Sequence, residues 1–278
     1  MIAHVFTDHR GTMEFLQAAL LGIVEGLTEF LPVSSTGHLV LIIDLIGFQG
    51  PPGKVFEIVI QLGAILAVCW VYRRRLFGAV AKAGRDPSAR AFILNILVAF
   101  LPAMVIGVFA HGFIKRVLFS PWVVSIALIL GGVAIILIEK WIAGRKPRNH
   151  TIEGFPLPLS LKIGLCQTVA MIPGVSRSGA TIMGALLLGV DRRAATEFSF
   201  FLAIPTMTAA TVYDIYKNWQ TLSLDNAGLV AIGFVSAFLA AMLVVRTAIA
   251  FISRHGFVPF AWYRIAVGGA MLAVLLAG

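Results

Sequence analysis

This 278-residue sequence has little charge. Only 13% of its residues are Asp, Glu, Lys or Arg, about half the share of a soluble domain. That density cannot solvate a globule of this size, so a soluble fold is excluded. With 59% hydrophobic residues, so is a disordered chain. Also missing are the ~10-residue alternating strands of an outer-membrane barrel, since the apolar segments are helix length. The two cysteines, Cys69 and Cys166, both sit in apolar segments, too few for a disulfide framework or a zinc cluster. The opening stretch MIAHVFTDHRGT is polar and lacks a basic region followed by an apolar run, so no cleavable signal peptide is expected. Acidic residues are outnumbered 13 to 22 by Lys and Arg, for a net charge of +9. The basic residues cluster in short loops beside apolar spans, a pattern of membrane topology, and no nucleic-acid partner is expected. What remains is an all-α integral membrane protein with several spans.

Three apolar spans lie in the first half, at about 56–72, 91–110 and 119–142, and three in the second, at about 197–215, 227–250 and 258–277. Each is close to the ~20 residues needed to cross the hydrocarbon core. Two further apolar regions, 13–48 and 159–190, are interrupted, one from Pro32 to Gly37 and the other from Pro173 to Gly179. Their flanking pieces, of roughly 10–18 residues, are too short to span comfortably and read as re-entrant helical hairpins. The loop 73–90 carries Arg73, Arg74, Arg75, Lys82, Arg85 and Arg90 and is expected in the cytoplasm. Threading onward places fifteen of the basic residues inside and five (Arg10, Lys54, Lys115, Arg116 and Lys217) outside, with both termini outside.

The interrupted regions resemble each other. LGIVEGLTEFLPVSSTG (21–37) lies over IGLCQTVAMIPGVSRSG (163–179), matching Gly22 to Gly164, Glu25 to Gln167 and Pro32 to Pro173, with a Val-Ser pair in both. Glu57 and Glu197 each open a long span. A single membrane domain over 1–278 is therefore expected to hold two repeats, at about 13–142 and 159–278. Each repeat is one hairpin plus three spans, six transmembrane helices in all. Three is odd, so the second repeat is inverted. Inverted repeats with interrupted helices place their site at the repeat interface, near the midplane.

Glu25 and Glu29 lie four residues apart in an apolar helix, on one face. Ionised carboxylates there need a partner, a shared proton or a cation, and oxygen ligation suits Mg²⁺ or Ca²⁺. A purely structural network with Thr28 is the alternative. After Pro32 come Ser34, Ser35, Thr36, Gly37 and His38, favoured residues for a helix start whose free N–H groups bind anions. His38 reads as an acid–base group. The mirror element holds Ser176, Arg177, Ser178, Gly179 and Thr181. The Arg177 guanidinium matches phosphate oxygens or pairs with Glu25 or Glu29. Arg264 is either a second phosphate contact or the partner of an acid. GVSRSG is neither a Walker A loop nor a G-x-S-x-G elbow. The residues describe a membrane protein that handles a phosphorylated lipid.

EGLTEFLPVSSTGH (25–38) and PGVSRSGAT (173–181) resemble the two signature motifs of the bacitracin-resistance type of undecaprenyl-diphosphate phosphatase. EFSFFLAIP (197–205) and FVPFAWYR (257–264) resemble further stretches of that family, and the likeness runs from about Glu14 to the C-terminus. The resemblance implies a bacterial inner-membrane hydrolase that converts a C55 polyprenyl diphosphate to the monophosphate carrier for peptidoglycan and other wall polymers. It implies a divalent cation, a site opening to the periplasm and an association with bacitracin resistance. Carried over, the acidic motif falls on Glu25 and Glu29, the Ser/His element on Ser34, Ser35 and His38, and the phosphate-binding element on Ser176, Arg177, Ser178 and Thr181. The expected mechanism has the 176–181 amides, with Thr36 and Gly179 alongside, and Arg177 on the phosphate. Ser35 or a water is the nucleophile, Glu29 or His38 the base, and His38 the proton shuttle. A polyprenyl-phosphate transporter or flippase using the same midplane site is the second reading, and a homodimer is admitted.

Overall fold

The computed structural model describes residues 2–51, 55–113, 120–217 and 226–277. Lys54, Lys115 and Arg116, three basic residues assigned to the outer side, lie outside the described residues. The chain is helical throughout this range, apart from turns and one isolated bridge between Asn149 and Val190. In order the helices are α1 (Ile2–Thr28), α2 (Ser35–Ile46), α3 (Val55–Val71), α4 (Arg73–Lys82), α5 (Pro87–Phe113), α6 (Pro121–Ile142), α7 (Leu157–Thr168), α8 (Arg177–Leu187), α9 (Arg192–Lys217), α10 (Ala227–His255) and α11 (Val258–Ala277). Five of them (α5, α6, α9, α10 and α11) are long and apolar enough to cross a membrane. The bent pair α3–α4 makes a sixth if counted as one span. Their outward faces carry large apolar side chains such as Phe109, Leu130 and Leu243, as lipid-facing surfaces do.

The long spans fall within a few residues of their sequence positions, because apolar runs of that length have one way to satisfy their backbone in lipid. Three expectations need correction. First, α1 runs back to Ile2 and so exceeds the short flanking piece expected of it. Once nucleated, a helix gains a hydrogen bond for each residue it adds. Second, the basic 73–90 stretch is mostly helix. After a 70° bend α4 lies across the end of α3, its Arg- and Lys-bearing turns alternating with Leu76, Phe77 and Val80 in the manner of an interfacial helix. Third, both hairpin breaks come earlier than Pro32–Gly37 and Pro173–Gly179. α1 stops at Thr28 and α2 starts at Ser35, while α8 starts at Arg177. The prolines lie inside the turns, where a residue without an N–H costs no helical bond.

The hairpins are held by close backbone approach. Cβ atoms added at Gly22 and Gly26 would overlap the α10 backbone at Gly233 and Ala237, and one at Gly164 would overlap α5 at Ala99. Thus α1 packs on α10, from the other half of the chain, and α7 packs on α5 in the same crossed sense. Asn95, fully buried on α5, donates to the carbonyls of Ile152 and Phe155 and accepts from Ser160 Oγ, fixing the entry to α7. Gly22→Ala is expected to cost about 1–3 kcal/mol through overpacking, read as a lower thermal midpoint in detergent. Gly78→Ala, on α4 with open space around it, should be neutral or slightly stabilising. Equal midpoints for the two variants would rule out the proposed close approach of α1 to α10.

Candidate active site

The two hairpin tips meet. Ser178 Oγ donates to Leu31 O at 2.7 Å, and Arg177 Nη2 reaches Glu29 Oε1 at 3.1 Å. The serines opening the two tips, Ser34 and Ser176, hold φ at 70° and 73°, a region that non-glycine residues seldom enter. They occupy matching positions in the sequence alignment of the two halves. Backbone strain of this kind costs on the order of 1–3 kcal/mol per residue and concentrates at functional sites. Here it turns the chain sharply enough for both α2 and α8 to aim their first turns at the same point.

That point is a cavity of about 250 Å³. Of the residues selected from sequence, Glu29, Ser34, Ser35, Thr36, Ser176 and Arg177 line it. Ser35 Oγ makes a short hydrogen bond to Glu29 Oε2. Arg177 also donates through Nη1 to Ser199 O at 2.7 Å, and its guanidinium lies 5.7 Å from the centre of the Phe30 ring. Arg177, Glu29 and Ser35 therefore form one continuous chain, with the carboxylate taking the cation on one oxygen and the hydroxyl on the other. Glu29 sits just past the end of α1 but still donates its N–H to Glu25 O at 2.9 Å, which keeps the pair one helical turn apart. Glu25 and Glu29 are 2% and 7% exposed.

Other selected residues are turned elsewhere. Gly179 N donates to Ser176 Oγ at 3.1 Å and so caps α8 internally. Thr181 Oγ1 donates to Arg177 O at 2.9 Å and lies 3.2 Å from Gln167 Oε1, and Ser178 serves as the tie to Leu31. His38 has both ring nitrogens engaged, Nδ1 with Ser34 O at 2.8 Å and Nε2 with Tyr263 OH at 2.7 Å, with the Tyr263 ring stacked on it. Because Ser34 O can only accept, Nδ1 carries the proton and Nε2 accepts from the phenol. Arg264 fits neither sequence alternative. It is 1% exposed and directs its donors at five backbone carbonyls: Leu128, Pro32, Val175, Ala127 and Gly174. It clamps the two tips to α6 and touches no carboxylate among the described residues.

The family model described as bacitracin resistance protein BacA matches residues 18–270. The chain belongs to the BacA family. This BacA chain is 60% identical over 261 residues to undecaprenyl-diphosphatase 2 of Paramagnetospirillum magneticum, covering 94% of the chain and 99% of that protein. It is 55% identical over 262 residues to an undecaprenyl-diphosphatase of Paracoccus denitrificans (94% and 97% covered). It is 54% identical over 258 residues to that of Parvibaculum lavamentivorans (93% and 96% covered). With five to six apolar spans, it is a multi-span membrane protein.

Two buried atoms beside the cavity, Glu25 Oε1 and Arg177 Nε, have no hydrogen-bond partner among the described residues, although Glu25 itself does not line the cavity. One is an acceptor, the other a donor. Buried groups of this kind are costly unless something satisfies them, and the pair asks for a cation on one side and an anion on the other. No third His, Cys, Asp or Glu joins the glutamates among the described residues. A hard cation held there would draw its remaining ligands from a bound anion and water, as Mg²⁺ usually does. Sequence reasoning assigned no role to Gln61, Thr206 and Met207, which line the cavity, or to Tyr263. Thr206, Met207 and Tyr263 do not stand out within their apolar spans, whereas the Gln61 amide does, one helical turn after Glu57, and offered a signal. Gln167 had a signal, its alignment with Glu25.

Proposed function

We propose that this chain hydrolyses undecaprenyl diphosphate to undecaprenyl phosphate and inorganic phosphate at the cavity between the hairpin tips. The names of the curated relatives support the substrate. The observation that carries the chemistry is the Arg177–Glu29–Ser35 chain lining one cavity. Ser35 Oγ attacks the terminal phosphorus in line and its proton passes to Glu29. The bond from that phosphorus to the bridging oxygen breaks, and undecaprenyl phosphate leaves with the electron pair. Water then cleaves the phosphoserine, Ser35 regains its proton from Glu29, and inorganic phosphate departs with the protons of the water. Glu29 is the base rather than His38, because both imidazole nitrogens are committed. His38 fixes the carbonyl of Ser34 and, through it, the turn that presents Ser35. Arg177 holds the equatorial oxygens as charge redistributes, and phosphoryl transfer depends chiefly on such positioning and neutralisation.

Glu25 and Glu29 would hold a divalent cation, Mg²⁺ or Ca²⁺, supported by the unpaired Glu25 oxygen. Bound there, the ion would neutralise diphosphate charge. Ser34, Thr36 and Ser176 add hydroxyl contacts, while Ser178, Gly179 and Thr181 shape the phosphate cradle from behind. An apolar groove of about 380 Å³, lined by Phe100, Met104, Val108 and Tyr213, adjoins the cavity through Ala103, Met171, Thr206 and Ala210. Met104 and Val108 are exposed toward lipid, so the groove suits the first isoprene units.

The reading includes six transmembrane helices and two re-entrant hairpins in inverted repeats, supported by the paired strained serines and the crossed packing of α1 and α7. It places the protein in a bacterial inner membrane with the cavity opening to the periplasm, supported by the basic residues of the opposite face. Phosphate release from a polyprenyl diphosphate in detergent, where there are no two sides, is the test. Arg177→Ala should lower release by about 10²-fold, and a chelator should abolish it. Binding of the lipid diphosphate with no release, with or without Mg²⁺, would instead make the protein a transporter.

A further inference from the structure

Another cavity, of about 650 Å³, shares no lining residue with the one between the hairpin tips and lies where the end of α6 meets the α8–α9 corner. Four cations line it: Arg145, Lys146, Arg148 and Arg192. Topology alone requires only that such charges sit in the loop. Here the loop is pinned. Arg148 N donates to Gly189 O at 2.8 Å, Asp191 N to Asn149 O at 2.9 Å, and Arg145 N to Ile142 O at 3.0 Å. The Arg145 guanidinium lies 3.5 Å from the centre of the Trp141 ring. The side chains of Lys146 and Arg148 have no ion pair or hydrogen bond among the described residues.

The acids nearby are already committed. Asp191 accepts from the N–H groups of Arg193 and Ala194 and so caps α9. Glu139 pairs with Arg192 and accepts from Phe257 N. Arg192 Nε, by contrast, is buried with no hydrogen-bond partner among the described residues. The other wall of the cavity is apolar, with Trp141 and Leu187 48% and 43% exposed. A cationic cradle beside an exposed apolar wall, at the end of the span Pro121–Ile142, stands at the level of lipid headgroups.

We infer that this cavity binds the phosphate headgroup of an anionic glycerophospholipid, with Arg145, Lys146, Arg148 and Arg192 on the phosphate and the acyl chains against Trp141 and Leu187. Basic pockets between membrane helices on the cytoplasmic side have this lipid chemistry. None of these residues belongs to the proposed hydrolytic site, so the inference stands or falls separately from it.

The test uses the purified full chain in detergent, with phosphatidylglycerol or phosphatidylcholine added and retained lipid counted by native mass spectrometry. The wild type should retain phosphatidylglycerol in preference to phosphatidylcholine. The triple variant R145Q/K146Q/R148Q should lose that preference by roughly tenfold or more. All three positions are exposed, so folding should survive, and K146E gives a second variant with a smaller loss in the same direction. About 10 mM inorganic phosphate should leave the retained lipid in place, because it lacks the apolar contacts. Equal retention of the two lipids by the wild type, or unchanged retention in both variants, overturns the inference. Displacement by inorganic phosphate also overturns it, making the site one for a soluble anion.

Discussion

Ser35→Ala lowers phosphate release from a polyprenyl diphosphate by a factor on the order of 10³ or more, with little change in KM. The serine is buried, bonded to Glu29 Oε2 and exposed on its other side to the cavity that Arg177 lines. On the proposed mechanism, its removal takes away the attacking oxygen and leaves Arg177 and the other tip residues in place. Loss of an activated nucleophile acts on kcat, because the interaction is realised only as the reaction proceeds. The variant also deprives Glu29 of one hydrogen bond. A carboxylate facing a solvated cavity replaces that with water, so stability should change by no more than about 1–2 kcal/mol. Rapid acid quench of the wild type should trap a phosphoserine at position 35, and Ser34→Ala should still give one. Near-normal turnover by Ser35→Ala would make water the nucleophile and reduce Ser35 to a positioning role for it.

Arg264→Met is expected to be the most destabilising single change in the site region. Three of the carbonyls held by the guanidinium, those of Pro32, Gly174 and Val175, belong to the non-helical tips. There is no intrahelical donor to take over. Each buried carbonyl left without a partner costs about 1–3 kcal/mol, so the total is on the order of 5 kcal/mol, a large part of the ~5–15 kcal/mol that holds a typical domain together. A Cβ at Gly131 would collide with the same guanidinium, so this part of α6 is shaped around Arg264. Thermal unfolding in detergent should show a midpoint lowered by more than about 10 °C. Arg264→Lys, with three donors for five carbonyls, should fall between the two. A midpoint for Arg264→Met within about 2 °C of the wild type would mean the clamp contributes little.

Much of this was legible in the sequence. Spans such as Pro121–Ile142 and Val258–Ala277 were located closely because hydrophobic length alone defines them. Glu29, Ser35 and Arg177 stood out because charged and hydroxyl residues are expensive in an apolar setting and so are seldom there without a task. Arg264 was equally visible, yet its partners were not. A guanidinium in a span can be satisfied by phosphate, by a carboxylate or by carbonyls, and the third solution exists only where two chain breaks expose their oxygens side by side. The roles of Ser178, Gly179 and Thr181 were hidden for a related reason. In sequence a hydroxyl or N–H next to Arg177 looks available, whereas Ser176 Oγ, Gln167 and Leu31 already occupy them.

By itself the sequence determined that the chain is helical and membrane-embedded, where most of its spans begin and end, and which few polar residues lie within them. Those properties follow from transfer energies and local hydrogen bonding, which act over one or two helical turns. Only the tertiary structure decided that the tips touch, that Glu29 faces both Arg177 and Ser35, and that His38 is held by Tyr263 from 225 positions away. Contacts of this kind depend on glycine-sized approaches between helices distant in the chain, and no local energy encodes them.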